Sequence, residues 1–183
     1  MTLEDDVAAW KAAKSVKDLG ELTARWLEGD VKYQPGYFGE PAEETIPLVE
    51  FLASVNRAGF YTTNSQPGEP IKDWSGQRAC VEGFCQEQLA KKISSALLKT
   101  DLVMIATPPG AASDVQICIT IDDDKECTWV GGPTELGPIV DLYDDELDAL
   151  ALAALLTAWQ VCIIDPVWGR NDLLWTRLVE AIQ

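Results

Sequence analysis

The chain has 183 residues, with 30 acidic and 14 basic side chains and no histidine, so its formal net charge at pH 7 is −16. The absence of histidine removes the commonest general base and metal ligand from the chemistry open to the protein. The negative charge excludes nucleic acid and anionic membranes as partners, because both repel an acidic surface. This length and a hydrophobic fraction of 47% predict one globular domain over residues 1–183.

The first residues, MTLEDDVAAWK, carry acids where a secretory signal carries positive charge. The longest apolar stretch, residues 147–164, is interrupted by Asp148, Thr157 and Gln160. A buried helix followed by a strand accounts for it better than a membrane span. We therefore expect a cytoplasmic protein whose five cysteines are reduced.

Hydrophobic periodicity predicts two N-terminal helices over residues 5–28, with a break near residues 15–18, where Ser15 or Asp18 could cap the second helix. A loop rich in turn residues follows. The next helix is predicted over residues 45–58, with Thr45 as its N-cap and Pro47 in its first turn.

The remaining chain mixes strands and helices. Five short strands are predicted, over residues 60–63, 78–84, 102–106, 115–121 and 161–164, and residues 127–130 are expected to pair back on the fourth. Helices are predicted over residues 86–99, 144–159 and 171–182. Because these elements do not alternate regularly, the predicted class is α+β: a single domain with a mixed sheet of about five short strands, packed with N-terminal, central and C-terminal helices.

Three segments of the chain are distinctive: NRAGFYTTNSQPGEP…QRACVEGF over residues 56–84, DLGELTARWLEG over residues 18–29, and WGRNDLLW over residues 168–175. They resemble an uncharacterised family of small actinobacterial and actinophage proteins. The resemblance implies a domain that takes in most of the chain, although residues 102–137 match nothing in it. It implies no activity, so no functional residue is carried over from the family.

Polar side chains and arginines suggest a candidate ligand site near the end of the first predicted strand. Its predicted residues are Arg57, Thr63, Asn64, Ser65, Gln66, Arg78 and Arg170. Arginines that converge on hydroxyl and amide groups can bind phosphate, sulfate or carboxylate with paired hydrogen bonds. In the alternative interpretation, the polar groups satisfy a turn and each arginine pairs with one of the many carboxylates. The glycine spacing and lysine of a phosphate-binding loop are absent.

Two acidic clusters are candidate metal sites: residues 122–124, at the end of a predicted strand, and residues 141–148, around a predicted helix start. Carboxylates at such positions can hold Mg²⁺ for phosphoryl chemistry. Turn preference and the helix dipole account for the same acids without a metal, and the pattern of a calcium loop is absent. We predict no metal site and no cofactor.

Cys80 and Cys85 are candidates for a cysteine nucleophile or a zinc site, because they lie near a predicted junction between strand and helix. A thiol at a helix N-terminus, as expected for Cys85, could have a lowered pKa. A cysteine nucleophile usually recruits histidine, which this chain lacks, and zinc sites use closely paired cysteines. The interpretation we favour is small buried thiols, with no catalytic residue.

Seven tryptophans are spread along the chain, and two near its end, Trp168 and Trp175, are candidate partner-binding residues. With Arg170 they could form an exposed anchor patch, because tryptophan and arginine are favoured at interaction hot spots. Trp168 could equally pack against the closing helix, which Asn171 or Asp172 would cap.

These observations favour a non-catalytic interaction protein: an acidic accessory subunit, or an inhibitor that docks a basic surface of its partner, a DNA mimic being one special case. The alternative is a small-molecule-binding protein or an enzyme that acts on an anionic ligand through the candidate ligand site. A metal-dependent phosphoryl enzyme is a third hypothesis. Convergence of the three arginines in one pocket would favour ligand binding, and their dispersal into separate ion pairs would weaken it.

Overall fold

The computed structural model describes residues 2–37 and 39–183. Within these ranges the helices are α1 (Leu3–Ala12), α2 (Val16–Leu27), α3 (Val49–Arg57), α4 (Glu87–Leu97), α5 (Leu136–Tyr143), α6 (Ala149–Leu156) and α7 (Leu173–Ile182), and a 3₁₀ helix covers Glu43–Leu48. The strands are β1 (Tyr61–Gln66), β2 (Glu69–Lys72), β3 (Ser75–Gln77), β4 (Cys80–Cys85), β5 (Val103–Thr107), β6 (Ile117–Asp122), β7 (Lys125–Val130) and β8 (Trp159–Ile164).

The strands form two antiparallel sheets. The central sheet has the order β1-β4-β8-β5, and the outer sheet has the order β2-β3-β6-β7. The α+β class and the N-terminal, central and C-terminal helices are confirmed. The strands differ from the prediction, with eight in two antiparallel sheets where about five in one mixed sheet were expected. One reason is that β2 is exposed along its whole length and shows no apolar alternation.

Local signals explain where several helices begin. Of the two caps predicted for α2, Ser15 is the one the structure has: its hydroxyl accepts the backbone N–H of Asp18 at 3.1 Å. The predicted cap Thr45 is wrong: this segment starts as a 3₁₀ helix that contains Pro47, and α3 begins only at Val49. Proline has no N–H to donate and crowds the preceding turn, which disfavours an α-helix there. The helix predicted over residues 144–159 is shorter, because Asp148 caps it through the N–H of Leu150.

The two faces of the central sheet are covered differently. On one face, α3, α4, α7 and the end of α2 pack over alternating residues of β4 and β8, such as Val81 and Val161. On the other face, α1, α5 and α6 cover one end of the sheet, around Tyr61 and Phe84. The outer sheet covers the opposite end, around Cys80 and Ile164. A strip between these two covers carries polar side chains.

No helix within the described ranges combines the length and the apolar character that a membrane crossing requires.

Candidate functional site

Strand register places three rows of side chains across the partly covered face of the central sheet. In order of β1, β4, β8 and β5 they are Gln66–Cys80–Ile164–Val103, Asn64–Glu82–Cys162–Ile105 and Tyr61–Phe84–Gln160–Thr107. The outer sheet packs on the first row and on Cys162 and Ile105 of the middle row, and α5 and α6 pack near Tyr61 and Phe84 of the third row. Glu82 of the middle row lies between these two covers.

Glu82 places a half-buried carboxylate in the middle of the sheet. The side-chain amide of Asn64 donates to its Oε2 at 3.0 Å, and the backbone N–H of Gly131 donates to its Oε1 at 3.1 Å. The neighbouring Cys162 thiol lies close enough for the charge of Glu82 to act on it. Carboxylates are seldom buried in a sheet unless they are paired, so two convergent hydrogen-bond donors mark Glu82 as a specialised position.

A cavity of about 150 Å³ opens above this carboxylate. Its lining includes Thr63, Glu82, Thr107, Gln116, Trp129, Gly131, Gly132, Thr134, Gln160 and Cys162. Thr63 reaches the cavity from an irregularity in the β1–β4 register between Thr62 and Asn64, and such bulges redirect side chains beside functional sites. Among the described residues that line the cavity there is no lysine or arginine, so its charge is that of Glu82.

The loop that follows β7 closes one side of the cavity. Gly131 has a φ of +106°, a backbone conformation that glycine adopts readily and other residues rarely adopt. The Gln160 amide accepts the N–H of Thr134 and donates to its carbonyl, both at 2.7 Å. Gln160 therefore holds the loop in place, and the loop delivers the Gly131 N–H to Glu82.

The cysteines near this site are neutral thiols. Burial, and then the charge of Glu82, raise the pKa of Cys162 far above its usual range. Burial raises the pKa of Cys85 to about 12, which agrees with the favoured interpretation of Cys80 and Cys85 as buried thiols and not with a lowered pKa. Because the thiolate is the reactive form, these residues do not supply a nucleophile near neutral pH.

The three arginines of the predicted anion site do not assemble a common pocket. Arg57, at the end of α3, binds both carboxylate oxygens of Glu28 at 2.7 and 2.6 Å and lies 3.4 Å from Glu21. It belongs to a contact between α2 and α3. This arrangement is the dispersal into ion pairs that weakens the anion-site hypothesis.

The other two arginines border the loop between β8 and α7. Arg78 donates to the carbonyls of Cys118 and Pro166, at 2.8 and 3.1 Å, and stacks on the ring of Trp168. Arg170 binds the buried carboxylate of Asp165 and the exposed one of Asp101, each at 2.7 Å. The hydrogen bonds of both guanidinium groups thus stabilise the fold, and neither residue lines the Glu82 cavity.

The polar block lies in strand β1 and not in a loop. Thr63 and Asn64 belong to the Glu82 site, as described above. Gln66 accepts the hydroxyl of Thr120 at 3.4 Å, and Ser65 is half-buried on the strand. The ligand site predicted from the sequence thus shares Thr63 and Asn64 with this site and lacks Glu82, Gly131 and Gln160.

The candidate partner-binding tryptophans are differently placed from the prediction. Trp175 is 2% exposed and packs in the core beneath α3 and α4, so it cannot anchor a partner. Trp168 is half-buried under Arg78. Two other tryptophans are exposed: Trp74, 68% accessible at the turn between β2 and β3, and Trp129, 47% accessible on β7.

Trp74 sits on an acidic tip of the outer sheet, formed by the turns β2–β3 and β6–β7. The Asp124 N–H donates to the Trp74 carbonyl at 3.0 Å, and the Ser75 hydroxyl donates to Asp122 at 2.6 Å, so the two turns are joined. Asp73, Asp123 and Asp124 are exposed beside the ring, with Lys72 and Lys125 as the nearby cations. Among the described residues, no group of three acids or cysteines is arranged to hold a metal ion.

Comparison with known proteins gives a family and one partial relative. A model of a domain of unknown function, DUF6919, matches residues 5–183. The uncharacterised family expected from three segments is thereby confirmed, and the match also takes in residues 102–137. The chain is also similar to methylenetetrahydrofolate reductase 1 of Schizosaccharomyces pombe, at 28% identity over 116 residues, which cover 56% of this chain. The match covers 19% of the length of that protein.

Proposed function

We propose that this chain, a member of the DUF6919 family, is a non-catalytic binding module. Its cavity above Glu82 holds a small ligand that carries N–H donors or a positive charge. The half-buried Glu82 carboxylate, presented to a cavity lined by no cationic side chain, is the observation that carries this proposal. The arginines of the sequence predicted an anionic ligand, whereas the Glu82 carboxylate favours a cationic one.

The chemistry of the carboxylate defines the ligand class. An ionised carboxylate accepts about four hydrogen bonds, and Glu82 receives two, from Asn64 and Gly131. A ligand N–H can take a remaining position, and a cationic one gains further from the low dielectric of a half-buried site. The Trp129 ring on the cavity wall offers a face for a cation or a planar group. An anion would meet the negative charge of Glu82.

Binding without catalysis is supported by the groups at the site. Burial, and then the charge of Glu82, raise the pKa of Cys162 and keep its thiol protonated, so Cys162 is not an activated nucleophile. The similarity to part of methylenetetrahydrofolate reductase 1 supports the proposal that this chain is a module of a kind that also occurs within a larger enzyme. The reductase activity named for that relative belongs to a protein of which this chain matches 19%, so we do not extend it to this chain.

A pair of fragments of equal size and opposite charge tests the proposal. A cavity of about 150 Å³ is large enough for one benzene ring in a protein interior, so benzamidine and benzoate are suitable probes. We expect benzamidine to bind and benzoate not to bind. Glu82→Gln should weaken benzamidine about tenfold or more, because a charge-assisted hydrogen bond is worth about 1.5–3 kcal/mol. Isothermal titration measures both effects.

Glu126→Gln is the matched control, since Glu126 is exposed on β7 and does not line the cavity. It should leave the affinity for benzamidine unchanged. Equal binding of the two fragments, or the same affinity in Glu82→Gln as in the parent protein, would contradict the proposal. Circular dichroism of each variant establishes that it is folded.

We also propose a second function: the chain is an acidic interaction module that binds a basic surface of a protein partner. It acts in the cytoplasm, as an accessory subunit or as an inhibitor of that partner. The specific observation in favour is the acidic tip. Trp74 and Asp73 have positive φ angles of 67° and 50°, a conformation that costs a bulky residue about 1–2 kcal/mol, and yet the Trp74 ring is exposed. The five cysteines are free thiols, which supports a reducing compartment.

Replacement of Trp74 tests this second function. A photo-crosslinking amino acid at position 74 should capture a basic protein from host extract, and 0.5 M salt should reduce the capture, because screening weakens attraction between exposed charges. Against the purified partner we expect Trp74→Ala to cost about thirtyfold in affinity, as for a hot-spot residue. Leu98→Ala, at the equally exposed end of α4, is the control. Equal capture from positions 74 and 98 would contradict docking through the tip.

A further inference from the structure

Thr107 is a buried polar residue on the wall of the Glu82 cavity that the fold leaves without a partner. It ends β5 in register with Gln160, on the same face of the central sheet as Glu82. The residue is 6% exposed, and its hydroxyl makes no hydrogen bond to the described residues. Unlike the unpaired oxygens of Thr23 and Gln34, which are sealed from solvent, this hydroxyl is accessible. Because Thr107 lines the cavity, an occupant of the cavity can reach it.

The other polar side chains on the cavity wall are in a different state. The Gln160 amide is already engaged by the backbone of Thr134 through two hydrogen bonds of 2.7 Å. Thr63 and Gln116 are exposed, so bulk water satisfies them. Folded proteins pair nearly all of their buried polar groups. A hydroxyl that is buried, accessible and unpaired therefore sets Thr107 apart as an open attachment point.

Glu82 and Thr107 lie on opposite sides of the cavity floor. Glu82 belongs to β4 and Thr107 to β5, and the two strands flank β8, so they are about 10 Å apart. The apolar side chains of Phe84, Ile105 and Trp129 also line the cavity. A molecule that contacts both Glu82 and Thr107 therefore has a polar group at each end and an apolar body between them.

We propose that Thr107 is a specificity-determining residue of the Glu82 site, which binds a hydroxyl or carbonyl group at the end of the ligand remote from Glu82. A threonine hydroxyl both donates and accepts, so it can pair with either group. This role rests on the proposed binding function and narrows its ligand class. The ligand is a compact amine or amidine, about one ring long, that carries a second, uncharged polar group.

Two fragments of equal charge and nearly equal size, 4-hydroxybenzamidine and 4-methylbenzamidine, test this role. We expect the hydroxyl compound to bind more tightly. Thr107→Val keeps the shape of the side chain but removes its hydroxyl, so it should reduce this preference about fivefold, the worth of one neutral hydrogen bond. Thr128→Val, on half-buried Thr128 of β7, which does not line the cavity, is the control and should keep the preference. Isothermal titration measures the four affinities.

Thermal unfolding separates recognition from a structural role. Thr107→Val should not lower the melting temperature, because it removes a hydroxyl that the fold does not use. Thr62→Val should lower it, because the Thr62 hydroxyl accepts the Asn56 amide at 2.7 Å. A melting temperature lowered equally by both substitutions would overturn the assignment of Thr107 to the ligand.

The role of Thr107 and the proposed function fail in different ways. Glu82→Gln should weaken both fragments by the same factor and leave the preference for the hydroxyl compound intact. The same preference in Thr107→Val as in the parent protein would overturn the role of Thr107 alone. Failure of both fragments to bind the parent protein would contradict the ligand site itself.

Discussion

Gly20→Ala is expected to lower the free energy of unfolding by about 3 kcal/mol or more, at the upper end of what overpacking costs. A Cβ on Gly20 would lie 2.2 Å from the carbonyl oxygen of Asn56 and 3.0 Å from its carbonyl carbon. Both atoms belong to the backbone of α3, so no side chain can rotate away and the two helices must separate. Urea unfolding monitored by circular dichroism measures the change.

Gly137→Ala is the control for Gly20→Ala. Gly137 also lies in a helix, α5, and a Cβ there would meet nothing within 4 Å. Because alanine is the better helix former, this variant should gain up to about 1 kcal/mol. If Gly20→Ala proves as stable as Gly137→Ala, the close contact between α2 and α3 is wrong.

Asn56→Ala is expected to cost about 3 kcal/mol, since it removes three hydrogen bonds from a fully buried side chain. The Asn56 amide donates to the Leu52 carbonyl at 2.8 Å and to the Thr62 hydroxyl at 2.7 Å, and its oxygen accepts the Thr62 N–H at 3.0 Å. In the variant the Thr62 N–H stays buried without a partner, and one such group costs about 1–3 kcal/mol.

Asn171→Ala is the control for Asn56→Ala. Asn171 makes two comparable bonds to the backbone of Gly68, at 2.6 and 2.7 Å, but the residue is exposed. Water can replace its bonds, so we expect a loss of about 1 kcal/mol. Equal losses at the two asparagines would contradict the importance of burial.

Asn56 also connects the stability of the fold to the candidate site. It fixes Thr62, and the strand then shifts register before Asn64, which places Thr63 on the cavity and the Asn64 amide on Glu82. We therefore expect partly folded variants of Asn56 to lose affinity for benzamidine as well. Because the backbone of Asn56 also contacts Gly20, the effects of the two substitutions should not be additive.

Most of the secondary structure could be predicted from local patterns. Ser15 before an amphipathic run specified the start of α2, and the alternation of Ile117 and Ile119 with polar residues specified β6. The burial of Trp175 could also have been predicted, because it shares a helix face with Leu174 and Leu178. Trp175 was predicted to bind a partner because tryptophan is a favoured hot-spot residue, and the periodicity of its helix was not used.

The division into two sheets and the position of the Glu82 site depend on contacts between distant residues. Glu82 is 18 residues from Asn64 and 49 from Gly131, and no local pattern encodes those pairings. One signal was present: a single carboxylate within the otherwise apolar strand ACVEGFC. The anion site predicted from the arginines is wrong, because Arg57 and Arg170 pair with nearby carboxylates and Arg78 donates to backbone carbonyls.

The most direct test of the account is a map of benzamidine binding by amide chemical shifts. We predict that the shifts concentrate on Thr63, Glu82, Gly131 and Gly132, together with the side-chain amide of Gln160, and that Glu82→Gln needs about tenfold more benzamidine or a larger excess to produce them. Shifts confined to the acidic tip around Trp74, or shifts that persist unchanged in Glu82→Gln, would contradict a ligand site built on the Glu82 carboxylate.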